Sequence, residues 1–393
     1  YSATLDSLGN IYVENTWNWD KKEISSGKII PADSVQCYGP YYPAIGRKDV
    51  YYYEGQANVQ LHTRKDIQHG QFGNIIHVYD HRDTAIITDD VYTDITYDNY
   101  TNLNLLGLPV LIEVRNKDSI LLRKRTADYY SLTGNLKQII SYNDTIQSKT
   151  DISYDSYGNL NKITYPENHH SQRMYNRITY DTVVHTYPVR VSDARMYTST
   201  STYDYRIGSP LSTTDIAGQE VNYKYYNDGR LKSIQGPYEK QNGDDWLIKY
   251  EYFDRYFHDS NSPDSTAWAR TTHLDPLNDN NFIHTVLFTD GLGRVIQTKK
   301  DAEVNGNVVM TISGAKILDA YGRPIKTYYP VTENLGHDSI FNYNLDAVQP
   351  TQITYDIMDR KTQVTLPDNS VNTISYGFGN DAFGNVQFKT TTT

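Results

Sequence analysis

The stretches YDSYGNLNKITYP (154–166), FTDGLGRVIQTKKD (288–301), LDAYGRPIKTYYP (318–330) and NDAFGNVQFKTTTT (380–393) follow one template: an acid, two spacers, a glycine, then Arg or Asn. Glycine takes positive φ at no steric cost, and aspartate accepts backbone N–H groups at the start of a turn. The pairs Asp155/Gly158, Asp290/Gly293, Asp319/Gly322 and Asp381/Gly384 therefore read as turns. Gly208 and the pair Asp228/Gly229 add two further copies. In YDIMDRKTQ (355–363), Asp356 opens the unit and Asp359 stands in the glycine's place. Aspartate is among the few non-glycine residues that tolerate positive φ, so this exception fits the same turn. Weaker copies lie upstream in LDSLGNIYV (5–13), HGQFGNIIHV (69–78) and SLTGNLKQI (131–139).

Ahead of these turns the apolar residues alternate, as in Ile95 and Tyr97, Ile152 and Tyr154, Val221, Tyr223 and Tyr225, or Ile374, Tyr376 and Phe378. A period of two is a strand. Each unit is thus a β-hairpin or strand corner, and since one hairpin cannot bury a face alone, successive hairpins must pair edge to edge into a long sheet. Helical patterning is scarce. The richest apolar run, 102–124, is broken by Gly107 and Pro109, while Val110, Ile112 and Val114 alternate as a strand would. Residues 239–247 and 257–282 are polar and rich in turn formers, and read as loops decorating the sheet. The expected fold is all-β, with a β-rich part over 1–105 and a repeat sheet over 106–393 that continues it.

Bulk composition fits a thin sheet. Hydrophobic residues make up 38% of the 393 even with 37 tyrosines included. That is too little hydrocarbon for a thick core. Tyrosine is β-prone and buries its ring while its hydroxyl stays wet. A net charge of −10 with no basic cluster argues against nucleic-acid binding. No apolar run is long enough to span a bilayer as a helix. The start at Tyr1, without Met, reads as a piece of a longer chain. The lone Cys37 excludes an internal disulfide and a cysteine zinc site, and reads as a small buried hydrophobe.

Candidate chemistry is sparse. His169 and His170 are adjacent in PENHHSQR, point different ways, and have no third ligand indicated. DITYDNYTN lacks the regular spacing of a calcium loop, and Asp98 reads as a turn cap. Asp244, Asp245 and Glu251 could serve a glycosidase pair, but loop carboxylates are the commoner reading. TDGLGR offers Gly291 and Gly293 without a third glycine or a following helix, so no dinucleotide fingerprint is present. The recurring Arg230, Arg294, Arg323 and Arg360 are expected to pair with the turn aspartates of neighbouring units, with contact to an enclosed cargo as the other reading. No catalytic residue, metal or cofactor is expected.

The units YDSYGNL, YNDGRL, TDGLGRV, LDAYGRP and DAFGNV resemble the YD repeats of RHS proteins. The ordered series FGNIIHVYDHRDTAIITDDVYTDITYDN (72–99), GLPVLIEVRN (107–116), TGNLKQI and YDSYGNLNKITYPEN narrows this further. It resembles the middle to C-terminal part of the B component of bacterial ABC (Tc) insecticidal toxins, the TcdB-like and SpvB-related proteins. That resemblance implies a sheet of RHS repeats spiralling into a hollow shell, completed by a C-type component whose toxic C-terminal segment is held inside. It further implies secretion, and docking on a pore-forming A component through a region outside this chain. The aspartyl self-cleavage motif of C components is not matched: LDPLNDN (274–280) lacks its glycine, so no protease role passes to Asp275 or Asp279. The expected function is a non-enzymatic wall that shields a cargo. The alternatives are a secreted or surface glycan-binding module built on tyrosine rows, and a carbohydrate-active enzyme using Asp244 or Asp245.

Overall fold

The computed structural model describes residues 1–23, 28–30, 41–144, 146–253, 266–275, 282–344 and 346–393. Cys37, Asp279 and much of 257–282 lie outside the described residues. The fold is all-β. Twenty-four strands belong to one hydrogen-bonded antiparallel sheet that does not close into a barrel, and six more form a second sheet.

The chain falls into two compact units. One comprises 1–177 with 356–360 and 374–393; the other comprises 178–355 and 361–373. In the first, Ile11–Glu23 pairs with Ser2–Leu5 and with Tyr41–Tyr52. From there the chain meanders, each strand antiparallel to the one before: Leu61–His69, Ile75–Asp83, Val91–Tyr100, Leu105–Asn116, Leu121–Tyr129, Leu136–Asn143, Ile146–Tyr154 and Leu160–Glu167. The second unit repeats this pattern from Pro188–Asp193 to Ile248–Phe253, then through Ala267–Leu274, Phe282–Thr289, Val295–Val304 and Asn307–Ile312.

Two of the loop expectations are corrected. Ala267–Leu274 is a strand, because AWARTTHL alternates bulky and small residues and pairs on both sides. Residues Pro237–Asn242 form a short helix. Proline sits at its first turn, where its missing N–H costs nothing, and Gly243 ends it at φ 85°. Asp98 is no turn cap either. It lies within Val91–Tyr100 opposite Leu108, and the neighbouring Asn99 side chain instead accepts the Gly107 N–H at 2.8 Å.

Fully buried hydrocarbon is scant. Among the described residues the buried apolar side chains are Ala44, Val286, Phe288, Met310 and Ile312. The last four lie in the second unit, where residues 334–343, after the sheet strand Val331–Glu333, fold back against Lys299, Gln297 and Phe288. Lys299, wholly buried, donates there to Glu333 and to the carbonyls of His337 and Ile340. Gln297 and Asn342 exchange two hydrogen bonds of 2.7 and 2.9 Å, and Phe341 packs edge-on against Phe288. Arg270 ties the same strap to the sheet through Asp338 while also pairing with Glu251 at 2.6 Å.

Candidate functional site

The repeated turn is the feature this sequence invests in most, and its parts interlock. In 155–159 the Asp155 N–H donates to the Asn159 carbonyl, and the Gly158 N–H donates back to Asp155. Asp155 Oδ1 accepts the N–H groups of Tyr157 and Asn159, each at 2.9 Å. Gly158 sits at φ 86°, and the register slips by one residue between Ser153 and Tyr154. This is a three-residue hairpin loop: a type I turn closed by a left-handed residue and a bulge.

The same bonds recur at Asp290 with Gly293, Asp319 with Gly322, Asp356 with Asp359, and Asp381 with Gly384. Asp359 stands at φ 61°. The residue after the glycine has a purpose. Arg294, Arg323 and Arg360 donate Nε to Oδ2 of the aspartate in their own turn at 2.6–2.7 Å, and Asn159 and Asn385 do so through Nδ2. Arg or Asn therefore satisfies the second carboxylate oxygen. The ladder expected between neighbouring units is instead an intra-turn pair. These bonds hold the carboxyls of Asp290 and Asp381 below the usual carboxylate range. The main causes are the Arg294 N–H in the first and the Asn385 side chain in the second.

Two of the singled-out positions depart from this pattern. In 226–230 it is Tyr226 that opens the turn and Gly229 that takes φ 85°, so Asp228 stands two places late; it pairs with Arg230 at 2.7 Å. Gly208 (φ 70°) closes a loop one residue longer, begun by Asp204, whose carboxyl the Arg206 side chain lowers to about 2. Other turns were not singled out. Asp215 with Gly218 matches the template but is followed by Gln219, while Asp193, Asn116 and Asn168 close theirs on Met196, Ser119 and Ser171 instead of glycine. Asp181 gathers five backbone N–H groups, from Val183 to Tyr187, with no glycine in its loop.

Tyrosines link one hairpin to the next. The hydroxyls of Tyr97, Tyr129, Tyr203, Tyr225, Tyr252 and Tyr355 donate to the carbonyls of Ile75, Pro109, Pro188, Pro210, Leu231 and Pro324 on the adjoining strand, at 2.8–3.3 Å. These carbonyls lie at or near a strand's start, where the ladder leaves an acceptor to be filled. Burial pushes the phenols of Tyr97, Tyr129, Tyr225, Tyr252 and Tyr355 above the ordinary tyrosine value, which keeps them donors. Turn arginines lie over two of these rings, Arg230 over Tyr252 at 4.7 Å and Arg323 over Tyr355 at 4.8 Å, and Arg360 lies over Tyr376 at 4.3 Å. At Tyr252 and Tyr355 aspartate, arginine and tyrosine thus form a local relay, where a globular domain would place aliphatic packing.

On one face of the first unit His62 stands between Asp49 (2.7 Å) and the Thr84 hydroxyl (3.0 Å). A hydrolytic relay also needs N–H donors aimed beside the hydroxyl. The Thr84 N–H is spent on the His62 carbonyl, Asp49 is shared with Arg64 at 2.7 Å, and the imidazole is stacked on Tyr51 at 4.2 Å. His169 and His170 lie against each other in an exposed turn. Asp245 is exposed near Lys224, and Glu251 is held by Arg270 and Lys249. No group of three His, Cys, Asp or Glu able to hold a metal occurs among the described residues.

No family model and no curated protein matches the sequence. Solved structures do match the fold. It is the fold of a segment of TcdB2–TccC3. The crystal structure of that complex superposes with a TM-score of 0.71 over 94% of this chain at 13% identity. TcdB2–TccC3–Cdc42 gives 0.71 over 96% at 12% identity. A Photorhabdus luminescens Tc holotoxin pore with a substituted TccC3 gives 0.70 over 94% at 12%. This chain spans about a quarter of the length of those chains, 25–27%. The likeness is to structures of RHS-shell type, the fold that the repeat units led us to expect.

Proposed function

We propose that this chain is a wall segment of an RHS-type shell in a Tc-like toxin complex, enclosing and shielding a toxic cargo without catalysing a reaction itself. The observation that carries this reading is the 24-stranded open sheet held by polar turns, with only five buried apolar side chains among the described residues. A sheet wetted on both faces needs bonds that do not depend on a thick core, and these turns supply them. The likeness to TcdB2–TccC3 over nearly the whole chain supports the same role. On this reading the partners are a C-type repeat component, or a fused toxic C-terminal segment, and a pore-forming A component that docks elsewhere. The complex is secreted, and no helix among the described residues is long and apolar enough to cross a membrane. The glycan-binding alternative loses the six tyrosines whose hydroxyls are committed to strand carbonyls, and would have to use exposed ones such as Tyr238 and Tyr343.

The test is limited proteolysis of the complete parent protein co-expressed with the product of its neighbouring gene. Shielding predicts that a discrete segment co-purifies and resists cleavage until the shell is denatured. A segment cut at native pH, or none retained, would overturn the reading, and screening for glycans would follow.

A further inference from the structure

A cleft of about 380 Å³ opens in the second unit between the strap 334–343 and the strands Ala267–Leu274, Phe282–Thr289 and Val295–Val304. Its apolar side is made by Phe282, Met310 and Leu335, and Phe282 is itself stacked on Trp246 with ring centroids 5.8 Å apart. Its polar side is made by Arg270, His284, Asp301 and Asp338. The wall that the strap contributes is held in place by the pair of Asp338 with Arg270 and by the bond from Lys299 to the His337 carbonyl at 2.8 Å. A recess of this size, mostly apolar with a few convergent polar groups, is the ordinary form of a ligand site.

Charge on the polar side is unevenly matched. Two cations, Lys249 and Arg270, meet three carboxylates. Glu251 takes both cations, at 3.5 and 2.6 Å, and Asp338 takes Arg270 again. Asp301 has only the imidazole of His284. Its Oδ2 accepts the His284 main-chain N–H at 2.8 Å and faces the ring Nδ1 at 2.9 Å, while its Oδ1 is buried and accepts nothing. A ring nitrogen set against a carboxylate carries the proton, so Nε2 of His284 is left as an acceptor, and it has no partner among the described residues. The cleft thus joins one surplus negative charge and an open imidazole acceptor to an apolar wall. By contrast, the cleft beside Tyr130 and Tyr154 holds one charged residue, Asp155, whose oxygens are taken up by its own turn.

We propose that the cleft between the strap and Asp301 is a binding site for an ammonium or guanidinium group carried on an apolar stem, either a small amine or a lysine or arginine side chain of a peptide. The cation offsets the Asp301 charge and donates to Nε2 of His284, and the stem lies along Phe282 and Leu335. Away from bulk water such a pairing is stronger than at an open surface. The site stands apart from the shell reading, since it needs only the second unit's own side chains.

Saturation-transfer difference NMR on the 393-residue chain tests it, with butylammonium, butylguanidinium and capped tripeptides having a central lysine or arginine as probes. Butyrate and butanol present a similar stem without the cation. The cations are expected to bind and the two controls not to. Asp301→Asn should weaken cation binding at least tenfold, while Asp128→Asn, which removes an exposed carboxylate of the first unit, should leave it unchanged. Leu335→Lys alters a half-exposed position and brings a tethered ammonium to the cleft, so it should displace the probes. Far-UV circular dichroism checks the fold of Asp301→Asn, and where that variant is unfolded the Leu335→Lys measurement decides. Tripeptides binding at least as tightly as the amines assign the site to a peptide side chain; amines binding alone assign it to a small amine. Cations that do not bind, controls that bind as well as they do, or folded Asp301→Asn and Leu335→Lys chains that bind like wild type overturn the proposal.

Discussion

Removing the hydroxyls of the interstrand tyrosines isolates their contribution, because Tyr→Phe keeps the ring and its packing, and at Tyr252 and Tyr355 the overlying arginine. In the second unit, Tyr225, Tyr252 and Tyr355 each donate one bond to a carbonyl, at 2.8, 3.1 and 3.0 Å. A neutral hydrogen bond contributes about 1 kcal/mol net, and more where its loss leaves a buried acceptor unfilled. The three bonds share no partner, so their losses add to about 3 kcal/mol in the triple variant. Peptide-resolved hydrogen exchange is the assay suited to a chain of two units, whose unfolding need not be one transition. Strands Glu220–Tyr225, Ile248–Phe253 and Thr351–Tyr355 are expected to exchange about fivefold faster in each single variant, from about 1 kcal/mol, and roughly a hundredfold faster in the triple. Tyr321→Phe, at an exposed turn tip, serves as the control and should change nothing. Triple-variant protection equal to wild type would refute the claim that the hydroxyls hold neighbouring hairpins together.

Further outcomes follow from the same contacts. Gly293→Val and Gly322→Val should each destabilise by more than about 1 kcal/mol in thermal unfolding, since both glycines hold positive φ (74° and 82°). At Gly322 an added Cβ would also meet the Arg294 guanidinium, so its alanine variant should cost more than that of Gly293, which has open space around it. Lys299→Met strands Glu333 beneath the strap and should cost about 3–5 kcal/mol, with Lys299→Met/Glu333→Leu recovering much of it in urea unfolding. Burial raises the carboxyls of Glu251 and Asp338, but their bonds to Arg270 outweigh it and leave both below the usual range. Groups so depressed stabilise the fold above their unfolded pKa and lose that stabilisation as pH falls through the folded one. Protection factors in 333–343, corrected for the intrinsic pH dependence of amide exchange, should therefore be unchanged between pH 7 and 5 and fall only in more acid solution; a loss of protection already at pH 5 to 6 would contradict this.

The turns were legible because their chemistry is local. Asp155 to Asn159 or Asp319 to Arg323 encode their own bonds within five residues, and glycine marks the left-handed position. Turns closed on Met196, Ser119 or Ser171 hid for want of that glycine, although their opening Asp or Asn was there to be read. Asn305-Gly306, a two-residue hairpin signal, was equally readable. Long-range partners were not. Nothing near Lys299 announces that its ammonium ends under His337 and Ile340, and the strap 334–343 has neither strand period nor helical period. The tyrosine excess pointed to a thin sheet, but the acceptors of those hydroxyls lie 15 to 31 residues away, at distances only the pairing register sets. The arginines illustrate the same limit: their place in the template was plain, while their choice of the aspartate in their own turn depended on the bulge that brings Nε to Oδ2.

The most direct test of the wall assignment is a cryo-electron microscopy structure of the complete parent protein with its partner. The account predicts that the 24-stranded sheet of this segment forms part of a closed wall, one face of which looks onto an enclosed chamber holding additional density. Finding this segment instead as a separate domain on the outside, with both faces open to solvent and no chamber behind it, would contradict the account.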